Sequence, residues 1–254
     1  MRRFLLSMIA ILASAPALAA GGDVTLKHVD WSFNGPFGTF DQSSLQRGFQ
    51  VYTEVCASCH SLEYIAFRNL ADLGYNEAEV KAIAAQYEVM DGPNDEGEMF
   101  TRAAIPADRF PSPYPNEQAA RAANGGAYPP DLSLMVKARP NGADYLYSLM
   151  TGYVDAPEGT EVPDGMYYNE AYPGHMIAMP QPLYGDDVEY ADGHASEIAD
   201  HAKDLTAFLA WTAEPEMESR KRIGVASMFF LIMMSILSYF AMRFIWADVK
   251  KAKA

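Results

Sequence analysis

The two cysteines of the 254-residue chain, Cys56 and Cys59, stand three positions apart, and His60 follows the second directly. Cys56-Ala57-Ser58-Cys59-His60 is the C-x-x-C-H attachment signature of a c-type haem. Thiols three apart on a helix share one face, where both can add to the vinyl groups of one porphyrin. The next residue then turns its imidazole to the iron as the proximal ligand. Two other chemistries use paired cysteines. Zinc wants four ligands, and the sequence has no second pair. A thiol–disulfide redox site would use the two sulfurs but leaves His60 without a purpose. With both thiols taken by haem, nothing remains for a structural disulfide.

Helices must hold this motif. Gly48 and Tyr52 lie eight and four positions before Cys56, on one helical face with Leu45 and Phe49 beside them. Late in the chain, Asp204-Leu205-Thr206-Ala207-Phe208-Leu209-Ala210-Trp211 places apolar residues at i, i+3, i+4 and i+6, a second helix ending before Pro215. The pair resembles the N-terminal and C-terminal helices of class I cytochromes c, where a glycine on the first lets the second cross closely. The resemblance implies a mainly α, class I cytochrome c-like haem domain. A short helix is predicted from Gly142 to Met150. Long insertions account for the extra length. Residues 61–128 carry a predicted helix, Glu77 to Tyr87 after Asn76, an acidic loop from Asp91 to Glu98 and a proline-rich stretch from Pro106 to Pro115. Residues 153–172 form a second long loop, and partner contact is the expected use of both.

The ends of the chain belong to a membrane protein. Arg2 and Arg3 precede the apolar run Phe4 to Ala15, then Pro16 and small residues to Ala20, so residues 1–20 read as a cleaved signal peptide. Ile223 to Met242 is twenty residues without a charge, the length of one transmembrane helix. Residues 21–222 are then the exported haem domain, residues 223–242 the span and residues 243–254 a short cytoplasmic or matrix tail. The net charge is minus 14; residues 1–20 carry plus 2 and residues 223–254 plus 3, which leaves minus 19 for the body. Such a body repels nucleic acid and attracts a basic partner.

The whole layout resembles the cytochrome c1 family, the haem c subunit of the cytochrome bc1 complex. The residues that carry the likeness are the early C-x-x-C-H, Ala122-Ala123-Asn124-Gly125-Gly126 before Pro129-Pro130-Asp131-Leu132, a late Met-Pro loop, and Trp211-Thr212-Ala213-Glu214-Pro215-Glu216 running into Arg220-Lys221-Arg222 and the span. The resemblance implies that the Pro130 carbonyl accepts the second N–H of His60, and that Arg139 and Tyr145 approach the haem propionates. It also implies that Met179 is the distal iron ligand. The residues alone leave Met176 open beside it: Pro173-Gly174 precede Met176, whereas Pro180 and Pro182 restrain Met179, and His175 and His194 are further candidates. Some bacterial relatives fasten this loop with an extra cysteine pair that the present chain lacks. By resemblance the protein takes electrons from the Rieske iron–sulfur protein, sits beside cytochrome b in the inner membrane with its haem domain in the periplasm (or intermembrane space), and reduces a basic soluble or tethered cytochrome c. It would carry electrons within an enzyme without being its quinol-oxidising site. The alternatives are a free-standing anchored cytochrome or oxidase subunit and, more distantly, a haem sensor or peroxidase, which need an open sixth position.

Overall fold

The computed structural model describes residues 24–191, 193, 194 and 197–251. The signal peptide read at residues 1–20 and the last three residues of the tail lie outside them. The first helix, α1 (Gln42–Glu54), starts where Asp41 accepts a hydrogen bond from the Ser44 N–H at 2.9 Å, a side-chain N-cap. The sixteen-residue α6 (Ile198–Ala213) crosses it, and every residue from Asp204 to Ala213 is buried. A helix apolar on all sides has to be enclosed, and α1, α4 (Met135–Ala138) and α5 (Gly142–Met150) enclose it. At the crossing, a Cβ built on Gly48 would lie 2.1 Å from the Asp204 carbonyl oxygen and 2.7 Å from Phe208 Cβ. Only glycine lets the two backbones come that close. Rings then fill the space on either side, with Phe49 and Tyr52 at 5.6 and 5.7 Å from Phe208 between centroids.

One ion pair is buried in this crossing. The Asp204 carboxylate, on a residue 3 % exposed, accepts from Arg47 Nε at 2.6 Å and from Ser44 Oγ at 2.5 Å. A buried charge needs such company, because breaking one partner away leaves the other uncompensated.

The insertion after the C-x-x-C-H motif supplies part of the core. A 3-10 segment, Phe67–Leu73, and α2 (Glu77–Ala84) bury Phe67, Leu70, Leu73, Val80 and Ala84 against the core. Phe67 packs on Phe110 with ring centroids 4.3 Å apart. The helix predicted to reach Tyr87 stops at Ala84, because the Tyr87 carbonyl accepts from the Ala104 N–H and starts an antiparallel hairpin, β1 (Glu88–Asp91) with β2 (Phe100–Ala103). The acidic segment from Asp91 to Glu98 is the turn of this hairpin. A further helix, α3 (Glu117–Ala123), is capped by Asn116.

The second insertion contributes a two-residue strand, β3 (Tyr167–Tyr168), which pairs with β4 (Met176–Ile177) in the register Tyr167 to Ile177 and Tyr168 to Met176. After Pro215 the chain enters α7 (Met217–Lys251), 35 residues long, which contains the uncharged Ile223 to Met242 stretch without a break. It is one helix long and apolar enough to cross a membrane, and none of its most apolar window is buried by the protein. Its base is tied to the domain: Lys221 Nζ donates to the carbonyls of Phe33 and Gly38 at 2.6 and 3.0 Å, and Glu218 accepts from the Phe40 N–H at 2.8 Å. The architecture is thus the mainly α domain with inserted loops and one C-terminal apolar helix that the sequence implied.

Candidate haem site

Cys56 to Ser58 form a tight 3-10 turn rather than a continuation of α1, closed by the Cys59 and His60 N–H groups bonding the Cys56 carbonyl at 3.1 and 2.9 Å. The two cysteines form no disulfide with each other. Burial, with Cys59 alongside, pushes the Cys56 thiol up to about 12.

His60 is held by its surroundings in one orientation. Its Nδ1 donates to the Pro130 carbonyl at 2.7 Å, and its own carbonyl accepts from the Tyr52 hydroxyl at 3.2 Å. Burial holds the imidazolium below its usual range, opposed in part by the bond to Pro130 and the charge of Asp131. A neutral ring whose Nδ1 keeps its proton has its Nε2 lone pair free for a metal, the usual arrangement of a ligating histidine. This tests the fit of a haem iron: the donor set and the tautomer suit it.

Asp131 builds this arrangement, and sequence reasoning gave it no role. Its Oδ2 accepts from Ser61 Oγ at 2.9 Å and from the Glu63 N–H at 2.8 Å, while Oδ1 accepts from the Ser133 N–H at 2.9 Å. The Leu132 N–H adds a bond to the Ser61 carbonyl at 3.0 Å. The segment carrying Pro130 is therefore stapled to the one carrying His60 over a sequence gap of seventy residues. The signal was present in the Pro-Pro-Asp-Leu run, since an aspartate after prolines favours a turn that binds nearby N–H groups.

Arg139 and Tyr145 meet at the start of α5. The turn between them is made by Asn141 and Gly142, with φ of 62° and 45°. Burial raises the Tyr145 phenol above its ordinary range, and the neighbouring Arg139 charge pulls it back. A guanidinium and a phenol side by side can bind carboxylates.

The two candidate methionines separate in space. Met179 packs against the same apolar core that receives Cys56 and Ala57. Met176 lies in β4 next to buried Ile177, and successive strand residues point to opposite faces. His175 is engaged elsewhere, its Nδ1 donating to the Asn169 carbonyl at 3.2 Å and its ring stacked on Tyr168. His194 sits against the Tyr190 ring. Of the remaining methionines, Met90 and Met99 lie exposed on the β1–β2 hairpin.

Comparison with known proteins agrees with this geometry. A family model described as the Cytochrome C1 family matches residues 31–249. A "Cytochrome c1" of Rhodospirillum rubrum is 45% identical over 264 residues, covering 95% of this chain and 97% of that protein. An Arabidopsis thaliana protein named "Cytochrome c1 1, heme protein, mitochondrial" is 51% identical over 223 residues, 88% of this chain and 73% of the relative. A Bradyrhizobium diazoefficiens "Cytochrome b/c1" is 52% identical over 240 residues, 86% of this chain but 35% of that longer protein, so the present chain spans about a third of it. With a family model matching most of its length and relatives near half identity along nearly all of it, this chain belongs to the cytochrome c1 family.

Proposed function

We propose that Cys56 and Cys59 would hold one haem c through thioether bonds and that His60 and Met179 would bind its iron. As the haem subunit of a cytochrome bc1 complex, it would receive electrons from a Rieske iron–sulfur protein beside cytochrome b and pass them to a basic cytochrome c. The haem domain would face the periplasm, or the intermembrane space in a mitochondrion, with the end of α7 inside. The observation that carries the reading is the bond from His60 Nδ1 to the Pro130 carbonyl, which prepares Nε2 for iron.

Bound haem supplies the one-electron Fe(III)/Fe(II) couple, and the protein supplies everything that tunes it. Pro130 and Asp131 keep the imidazole in one tautomer and raise its basicity. A thioether from Met179 as well as the histidine would favour ferrous iron and a high potential. Arg139 and Tyr145 would hold the propionates at the polar edge. The apolar core against which Cys56 and Ala57 pack would keep water from the bound group.

The test is purification of the full chain from native membranes in mild detergent. The expected result is a haem-staining band on a denaturing gel that co-purifies with a cytochrome b and an iron–sulfur protein and is reduced by quinol. Isolation as a lone anchored cytochrome, reduced by other donors only, would replace this reading with the free-standing carrier.

A further inference from the structure

Both cysteines of the chain belong to the C-x-x-C-H motif, so no disulfide fastens the loop that carries Met179, and hydrogen bonds hold it. The centre of these bonds is Asn169, which is 0 % exposed. The Asn169 Nδ2 donates to the Leu149 carbonyl at 2.8 Å, and its Oδ1 accepts from the Ala171 N–H at 2.9 Å. Its backbone N–H donates to the His175 carbonyl at 2.9 Å, and its carbonyl accepts from His175 Nδ1 at 3.2 Å. One of these bonds reaches the end of α5 and two reach His175, so Asn169 links α5 to the segment that leads into β4 and the methionine loop.

The adjoining residues close the connection. Tyr153 forms a single antiparallel bridge with Asn169, and the Glu170 N–H donates to the Gly152 carbonyl at 2.9 Å. Gly152 is required there, because a Cβ would lie 2.6 Å from the Ser148 carbonyl oxygen and 2.9 Å from Asn169 Oδ1. From this anchored position the Tyr153 hydroxyl crosses to donate to the Met179 carbonyl at 3.0 Å. The backbone of Met179 is therefore fastened to the segment just after α5 by a side chain twenty-six residues away.

We infer that Tyr153, seated by Asn169 and Gly152, is a positioning residue that holds the thioether of Met179 in place on the distal side and so resists its displacement. The inference rests on Met179 being the distal ligand. A thioether is a weak ligand for ferric iron, and a loop free to swing would lose it to any better donor. Each restraint on the loop lowers the population of the open state, and a competitor's apparent affinity falls in proportion to that population.

The experiment uses the full-length haem-loaded chain in detergent and titrates the oxidised form with imidazole, whose nitrogen displaces the sulfur from iron. The readout is the sulfur-to-iron absorption band. Removing one hydrogen bond of ordinary net worth in Tyr153→Phe should lower the half-displacing imidazole concentration about fivefold, with the midpoint potential shifted down. Tyr167→Phe, which alters an exposed tyrosine of the same region, should change neither. Asn169→Ala should exceed Tyr153→Phe in the same direction wherever it folds. A Tyr153→Phe titration within twofold of the parent overturns the inference. Failure of the underlying assignment has its own signature, an unchanged band in Met179→Leu before any imidazole is added.

Discussion

At the scale of single residues, the chemistry depends on atoms that other residues hold still. His60 reaches its useful state because a carbonyl accepts the hydrogen bond from its Nδ1–H, and that carbonyl is in place because Asp131 binds Ser61, Glu63 and Ser133 together. Met179 and Met176 are three positions apart, yet one lies against the core that receives Cys56 and the other in a strand beside Ile177. Replacing each by Leu therefore gives opposite outcomes. Met179→Leu should abolish the sulfur-to-iron band and lower the midpoint potential by a large margin, since a Met ligand raises it, while Met176→Leu should leave both nearly intact. Optical spectra with potentiometric titration decide it, and the reverse pattern would move the ligand to Met176.

At the scale of elements, the α1–α6 crossing sets the stability of the domain. Gly48→Ala puts a methyl group 2.1 Å from a backbone oxygen of α6, which no rotamer change can relieve, so the helices must separate. A cost of at least ~2 kcal/mol is expected from overpacking at such a site, read as a lower denaturant midpoint. Gly224→Ala on α7, where nothing lies within 4 Å, should not destabilise, because alanine favours a helix over glycine. The N-cap of α1 gives a pH-dependent counterpart. Hydrogen bonds from the Ser43 hydroxyl and the Ser44 N–H hold the Asp41 carboxyl below the usual carboxylate range. Its contribution is therefore complete above the unfolded-state value near ~3.9 and is lost as pH falls through the lower folded value. Asp41→Ala should cost about 1 kcal/mol at neutral pH, and the gap from the parent should close in acid. Unfolding curves between neutral pH and the acid limit would show it, and a constant gap would remove the cap from the account.

At the scale of the whole molecule, charge and membrane attachment set how partners meet it. The chain carries minus 14, but its acidic clusters differ in availability. Asp91 is paired with Arg102, which also binds Asp108 at 2.6 Å, and Asp187 accepts from the Tyr184 and Gly185 N–H groups at 2.5 and 3.0 Å. Asp155, Glu158, Glu161 and Asp164 are all exposed, on the loop between Tyr153 and β3. Electron delivery to a basic cytochrome should slow as ionic strength rises, because exposed charges are screened beyond ~8 Å at physiological salt. Amidating those four should reduce both the low-salt rate and its salt dependence, more than amidating Asp95, Glu96 and Glu98 on the β1–β2 turn. Stopped-flow rates across a salt series measure this, and equal effects would mean that net charge alone steers the encounter.

By itself the sequence determined what is local or periodic. Two thiols and a histidine at fixed offsets define an attachment chemistry that depends on spacing within a single turn, and twenty uncharged residues define a span by length alone. The faces of α1 and α6 followed from apolar spacing, and the need for glycine at position 48 followed from the family resemblance. Tertiary structure decided what depends on separated segments coming together. The insertion after His60 proved to bury Phe67, Leu70 and Leu73 in the core, because short apolar stretches there find Phe110 only after the chain folds back. The roles of Asp131, Asn169 and Tyr153 come from hydrogen bonds reaching as far as seventy residues along the chain. Periodicity cannot signal such pairings, because a hydrogen bond depends on where two groups meet in space, and one sequence records only the order in which they occur.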